Sequence, residues 1–254
     1  VVVSFRQTYG DERKQLYDIF AKDKRLIELL DLCDINLHSF HNCSQETIDY
    51  YKSKNKVKNS EYLEFNECTY TETIKALKVK LKEMGCTHFL FTQDDHFSFN
   101  NEDIVWEELI EYVKEHDKNF MLNLTTHGPW VATSLDLNYV KPSFKLFKTS
   151  STSIHKQGIW STMDDQPYMS TIDIIDLIYD DVYCEKGSIW DGEMHLKKRF
   201  DKESITKFLF ERKLFKAYNL MGRTLSKKEQ NIEELKKRNL YVSIIYTDIW
   251  NGKG

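Results

Sequence analysis

Proline and glycine are scarce in this chain, at 3 and 9 of 254 residues, which excludes a collagen-like or low-complexity sequence. Cysteine is sparse too. The 5 cysteines (Cys33, Cys43, Cys68, Cys86 and Cys184) are odd in number and contain no Cys-x-x-Cys pair. That pattern argues against a zinc site or a disulfide framework, and for reduced thiols in a cytoplasmic setting. No apolar run approaches the roughly 20 residues a helix needs to cross a bilayer, so no transmembrane segment is expected. An excess of one charge is also missing. With 36 Lys and Arg against 40 Asp and Glu, the formal charge is only -4, without the basic face that nucleic acid requires. Gly-rich phosphate loops, Gly-x-Ser-x-Gly, His-Glu-x-x-His and the dinucleotide fingerprint are all absent. What is present is material for a core: 41% of residues are hydrophobic and 13% aromatic, enough to rule out disorder at a length that suits one domain.

The first half alternates strand and helix patterns. Residues 1–5 form an apolar, β-branched run that reads as a buried strand. Asp11 is expected to cap a helix carrying Leu16, Ile19, Phe20, Leu26, Ile27 and Leu30. A second strand is expected over 35–40, a helix capped by Ser44 reaching about residue 54, and a short strand at Tyr62, Leu63 and Phe65. Thr69-Tyr70-Thr71-Glu72 has the capping-box pattern, and Ile74, Leu77, Leu81 and Met84 follow on one helical face before Gly85 closes it. A strand over 88–91 runs straight into Thr92-Gln93-Asp94-Asp95-His96. Asn100 is then expected to cap a helix with Val105, Trp106, Leu109, Ile110 and Val113 inward, before a strand over 120–124. Such alternation with short connections predicts an α/β fold with a largely parallel, Rossmann-like sheet. Beyond about residue 126 the pattern loosens. A strand over 145–148, a helix begun by Ser170-Thr171-Ile172-Asp173, a helix over 201–219 and a late charged helix from Ser226 are expected. Residues 1–126 read as a nucleotide-binding half, and 127–254 as an acceptor half with C-terminal helices.

Two clusters carry chemistry. Asp94 and Asp95 directly follow an apolar strand, at the sheet edge where open α/β folds bind ligands, and carboxylate oxygens suit Mg²⁺ or Mn²⁺. The competing reading is that such acids merely favour the start of the next helix. The second cluster is Ile189-Trp190-Asp191-Gly192-Glu193-Met194-His195, where Gly192 permits close backbone approach and Glu193 is placed to take a proton from a hydroxyl. Its competing reading is a helix start capped by Asp191.

Taken in order, these segments resemble the glycosyltransferases of the GT-A fold. Residues 1–7 resemble that family's opening strand and nucleotide-facing loop. Residues 85–95 resemble its Gly, apolar strand and Asp-x-Asp-type motif, and Trp190-Asp191-Gly192-Glu193-Met194 its downstream acceptor-side motif. The resemblance implies a metal-dependent transfer of a sugar from a nucleotide-sugar donor, by preference a UDP-sugar, to a hydroxyl of a glycan or glycoprotein. It places Asp95 on a divalent metal (Mn²⁺ or Mg²⁺), Asp94 on the metal or the donor ribose or sugar, and Arg6 and Gln7 beside the nucleotide. Glu193 or Asp191 would be the base. His96, by analogy with an Asp-x-His variant, would be a further metal ligand; apart from the resemblance, imidazole chemistry makes His127, His155 and His195 candidates too, with His195 preferred for its nearness to Glu193. Trp190 would stack on a sugar ring, as Trp130 and Trp160 could. Gln93 stands where the first Asp of Asp-x-Asp is usual, and Met194 where a second acid is common. Two other readings follow from the same residues: a nucleotidyltransferase or other phosphoryl-transfer enzyme, and an inactive carbohydrate-binding domain.

Overall fold

The computed structural model describes residues 1–66, 70–124, 137–140, 143–149, 167–178, 206–210 and 214–217. Strands β1 (Val2–Tyr9), β2 (Ile35–His41), β3 (Ser60–Phe65), β4 (His88–Gln93), β6 (Phe120–Asn123), β7 (Leu137–Val140), β8 (Lys145–Thr149), β9 (Tyr168–Thr171) and β10 (Thr206–Phe210) build one sheet. Its order is β3-β2-β1-β4-β9-β6-β10-β8-β7. The pairings set β1, β2, β3, β4, β6, β7 and β10 in one direction and β8 and β9 in the other, a mostly parallel sheet. Because β9 lies between β4 and β6, the later part of the chain is woven into the sheet that the first part begins. A separate two-stranded ribbon pairs β5 (His96–Ser98) with β11 (Phe215–Ala217).

Period-two alternation sends successive side chains to opposite faces, and each face is sealed by helices. On one face Val2, Leu90, Leu122 and Met169 pack with residues of α1 (Gln15–Phe20), α2 (Lys24–Asp31), α3 (Gln45–Lys54) and α5 (Trp106–Lys114). On the other, Val3, Phe5, Leu37, Phe89, Phe91 and Met121 meet Ile74, Leu77 and Leu81 of α4 (Tyr70–Glu83) and Ile174 and Ile175 of α6 (Ile172–Ile178). Burial on both faces makes the central strands near-continuous apolar runs, with each fully buried Leu or Phe contributing about 1.5–3 kcal/mol. This is the α/β, Rossmann-like architecture with a largely parallel sheet expected from the alternation.

Several local expectations hold. The Ser44 side chain accepts from the backbone N–H of Thr47 at the start of α3. Gly85 takes φ 64° just beyond α4, the left-handed conformation that costs a residue without Cβ least. Thr69 of the expected capping box lies outside the described residues, as does the late helix from Ser226.

Other expectations are corrected. The helix over the segment from Asp11 is broken: a 3-10 turn (Asp11–Arg13), α1 and α2 follow one another, and Asp23 caps α2 by accepting from Leu26 N–H. Asp11 instead accepts from the backbone N–H of Ser44 at 2.7 Å, which ties the loop after β1 to the loop after β2. Asn100 caps nothing. It has φ 55°, and α5 begins at Trp106 after Val105, without a side-chain cap. Ser170 and Thr171 belong to β9, where the Thr171 hydroxyl accepts from Phe120 N–H at 3.2 Å. Within the helix expected over 201–219, Thr206–Phe210 and Phe215–Ala217 are strands. Phe208 is paired with Leu122 on one side and Lys148 on the other. Ile205, Phe208 and Leu209 fit a helical spacing, but Thr-Lys-Phe-Leu-Phe is β-favouring, and its place between two strands overrides the spacing.

Candidate functional site

The chain leaves β4 at Gln93, turns through Asp94 and Asp95, and enters β5 at His96. β1 runs parallel beside β4 with Gln7 opposite Gln93, so the turn sits at the carboxyl ends of both strands. Asp94 N–H extends the ladder by donating to Gln7 O at 2.8 Å.

A buried cation holds this turn from beneath. Arg6 is 1% exposed, and its Nη2 donates to Asp94 O at 2.9 Å. Its Nη1 reaches His96 O and Thr92 Oγ1, each at 3.4 Å. The guanidinium carbon stands 4.6 Å from the Phe20 ring centroid and 5.8 Å from that of Phe97. Arg6, placed beside the nucleotide by the resemblance, is therefore inside the protein, and its described contacts shape the Asp94–Asp95 turn.

Asp94 is buried, and both of its oxygens have partners. One takes a hydrogen bond from Arg13 Nη1; the other faces Tyr9 N–H at 3.4 Å. Burial raises its carboxyl above the ordinary value, against the opposing pull of Arg13 and Arg6. Asp95 is more perturbed. Burial, then the neighbouring Asp94, push it up to about 7, while Arg13 pulls the other way. Asp95 Oδ2 lies 3.8 Å from Arg13 Nη1, and Oδ1 is buried without a hydrogen-bond partner among the described residues.

His96 accepts a hydrogen bond at Nδ1 from Gln93 N–H at 2.9 Å. A neutral imidazole that accepts at Nδ1 carries its proton on Nε2. That nitrogen stands 3.9 Å from Asp95 Oδ1, so it faces the carboxylate as an N–H and offers no lone pair to a metal. Mn²⁺ or Mg²⁺ would need several oxygen or nitrogen donors with free lone pairs. Asp94 is engaged by Arg13 and Tyr9, and His96 presents a proton. Only Asp95 offers an oxygen, and no group of three potential ligands occurs among the described residues. These residues do not fit a protein-held divalent cation. His195, Glu193, Asp191 and Trp190 lie outside the described residues, as do His127, His155, Trp130 and Trp160.

Gln7, placed beside the nucleotide by the resemblance, is buried. Its Oε1 accepts from the Tyr9 hydroxyl at 2.8 Å, and its Nε2 has no partner among the described residues. Tyr9, His41 and Phe65 end three adjacent parallel strands in register. Their rings stack in series, Tyr9 on His41 at 4.7 Å and His41 on Phe65 at 5.3 Å between centroids. Ser39 Oγ lies 3.1 Å from His41 Nε2, and burial lowers the imidazole to about 4, so it is neutral near pH 7. Sequence reading missed Tyr9, His41 and Arg13. The aromatic positions are visible only once strand register is known. Arg13 looks like an ordinary basic residue in a helical first turn.

No protein-family model and no curated protein matches the sequence. Solved structures do match the fold. S. aureus TarS 1-349 in complex with UDP-GlcNAc is similar over 87% of this chain and 59% of its own, with TM-score 0.52 and 14% identity. S. aureus TarS 1-349 is similar over 85% and 60%, with TM-score 0.50 and 12% identity. A UDP-glucose pyrophosphorylase complexed with UDP-glucose is similar over 86% of this chain and 92% of its own, with TM-score 0.44 and 6% identity. The two TarS likenesses establish a shared GT-A-like fold. Among the described residues, no helix is long and apolar enough to cross a membrane.

Proposed function

We propose that this chain is a glycosyltransferase that moves a sugar from a nucleotide-sugar donor, by preference a UDP-sugar, to a hydroxyl of a glycan or glycoprotein. The observation that carries the reading is the Asp94–Asp95 turn, fixed by buried Arg6 at the adjoining carboxyl ends of β1 and β4. Ligands of open α/β sheets bind at such an edge. TarS, which shares the fold, binds UDP-GlcNAc in its solved complex and supports the choice of donor.

In this reading the row of rings from Tyr9 to Phe65 offers the base a wall, and Asp95 Oδ1 accepts from a hydroxyl of the donor ribose or sugar. Asp94, being buried and paired, positions Arg13 rather than touching the donor. During transfer the acceptor oxygen bonds to the anomeric carbon while the bond from that carbon to the diphosphate breaks. The electron pair leaves with the nucleoside diphosphate, and the acceptor's proton passes to a carboxylate. Glu193 or Asp191 is proposed for that base and Trp190 for stacking on the donor, all three on the resemblance, and His195 for a place near the base, on its nearness to Glu193 in sequence. Mn²⁺ or Mg²⁺ enters no step, because the described donors do not fit one.

Nucleotidyl transfer is the second reading, favoured by the basic pair Arg13 and Lys14 in the loop after β1. Lys14 is engaged by Glu46 at 2.6 Å, so Arg13 alone of the pair is left to meet the larger charge of a triphosphate. The test is to incubate the protein with UDP-sugars and oligosaccharide acceptors and to measure free UDP. Acceptor-dependent UDP release that falls at least tenfold in Asp95→Asn is expected, about 1.4 kcal/mol or more in the barrier. Pyrophosphate release from a nucleoside triphosphate and a sugar 1-phosphate, with no UDP release, would replace this reading with nucleotidyl transfer. Glycan binding without turnover would indicate the inactive carbohydrate-binding domain.

A further inference from the structure

A nucleoside diphosphate approaching this edge meets two carboxylates, and its own negative charge has to be matched by a cation. Among the described residues, Arg13 is the cation whose side chain bonds Asp94 and reaches within 3.8 Å of Asp95. Several features set it apart from a surface arginine. It sits in the short turn that directly follows β1, so it is delivered to the sheet edge where the donor is proposed to bind. Asp94, 1% exposed, fixes its Nη1, and the Tyr9 ring lies beneath it with 5.8 Å between guanidinium carbon and centroid. The side chain is nevertheless 25% exposed. Its bond to Asp94 is the only hydrogen bond it makes among the described residues, so its Nε and Nη2 edge has no protein acceptor there.

A guanidinium anchored through one nitrogen, with its other edge presented, is suited to bidentate recognition of a phosphate. From this geometry we infer that Arg13 is the diphosphate-binding group of the site, and that it holds the donor's diphosphate without a divalent cation. The inference rests on the nucleotide-sugar reading and deepens it. The same arginine explains the poor fit of a metal. A cation placed between Asp94 and Asp95 would first have to displace Arg13 from a buried carboxylate, leaving one charge or the other without a partner. Arg6 cannot take the role, because its guanidinium is enclosed by backbone carbonyls and the Phe20 ring.

The test is calorimetric titration of the protein with UDP, GDP, CDP and dTDP, each in EDTA and again with Mn²⁺. The wild-type protein is expected to bind one of these in EDTA, with an affinity that Mn²⁺ changes by less than about threefold. Arg13→Ala should weaken that binding at least ~10-fold in EDTA. Since Arg13→Ala leaves buried Asp94 uncompensated and could unfold the turn, the double variant Arg13→Ala with Asp94→Asn removes both charges together. It should keep the wild-type melting temperature within a few degrees and still lose binding. Binding that requires Mn²⁺ in the wild type would overturn the inference and leave the nucleotide-sugar reading intact. Full binding in EDTA by the folded double variant would likewise overturn the assignment of Arg13. Failure of every nucleoside diphosphate in both conditions would remove the nucleotide-sugar reading, and this inference with it.

Discussion

Gln93 N–H donates to Nδ1 of His96 at 2.9 Å, across the turn that holds Asp94 and Asp95. The bond does two things at once. It satisfies a backbone donor where the β4 ladder ends, and it fixes the imidazole tautomer so that Nε2–H faces Asp95. A histidine that the Asp-x-His resemblance places among the metal ligands thereby becomes a brace of the turn.

His96→Ala should remove that acceptor and cost about 1–3 kcal/mol, the penalty for leaving a buried donor unsatisfied. His96→Asn, whose side-chain oxygen can stand near the position of Nδ1, should recover at least half of the loss. Urea midpoints of the two variants make the comparison. Equal losses would show that the Gln93 bond contributes nothing particular to the turn.

Arg6 binds the same turn from the core side, and its chemistry predicts a graded series. Arg6→Met keeps the volume but leaves Asp94 O and His96 O without their buried donor, and should cost about 3 kcal/mol. Arg6→Lys keeps the charge and loses the fork that spans both carbonyls, so an intermediate loss is expected. Denaturant unfolding monitored by tryptophan fluorescence gives the ranking. A lysine variant as stable as wild type would mean that charge alone holds the turn.

Asp95 makes the stability of the fold depend on pH. Its carboxyl is raised to about 7 in the folded protein by burial and by Asp94, whereas an unfolded Asp titrates near ~3.9. Between those values the folded protein retains a proton that the unfolded chain releases, so this group's contribution to stability declines as pH rises from about 4 to about 7. Asp95→Asn lacks the decline. The stability of the variant minus that of wild type should therefore grow across this window and level off above it, as read from urea midpoints at several pH values. A difference that stays flat would place Asp95 in the ordinary carboxylate range.

The layering of the fold was legible because it depends on local pattern. Ser44 before an apolar helical face, and Gly85 between helix and strand, each encode a boundary in a few residues. What misled was pattern with more than one solution. Phe208 and Leu209 fit a helical stripe and also a strand, and only the space between β6 and β8 decides. At the site, the strand-end position of Asp94 and Asp95 could be read from the apolar run before them. Their partners could not. Arg6 and Thr92 are 86 residues apart in sequence, and Arg13 and Asp94 are 81 apart. Whether an arginine faces a ligand or braces a turn depends on which neighbour reaches it across strands. Glu193, Asp191 and Trp190 are assigned by resemblance, and His195 by its nearness to Glu193 in sequence.

His38 shows how the same bookkeeping runs in the opposite direction. It is 2% exposed at the start of the aromatic cluster under α3, with Nδ1 2.8 Å from the Tyr51 hydroxyl and Nε2 3.1 Å from Ser60 Oγ. Burial, and secondarily the positive charge of Arg6, lower it to about 3. An unfolded histidine titrates near ~6.5, so as pH falls below that value the unfolded chain gains a proton that the folded protein refuses. Stability from this residue is thus fully present above about pH 6.5 and is lost progressively towards pH 3. His38→Gln keeps a polar side chain facing Tyr51 and Ser60 and does not titrate. It should be less stable than wild type at pH 7, through imperfect packing, by about 1–2 kcal/mol. The deficit should shrink as pH is lowered from about 6.5, because only the wild type loses stability through this group. Urea unfolding of both proteins at a series of pH values measures it, and a deficit independent of pH would mean that His38 titrates alike in the folded and unfolded chain.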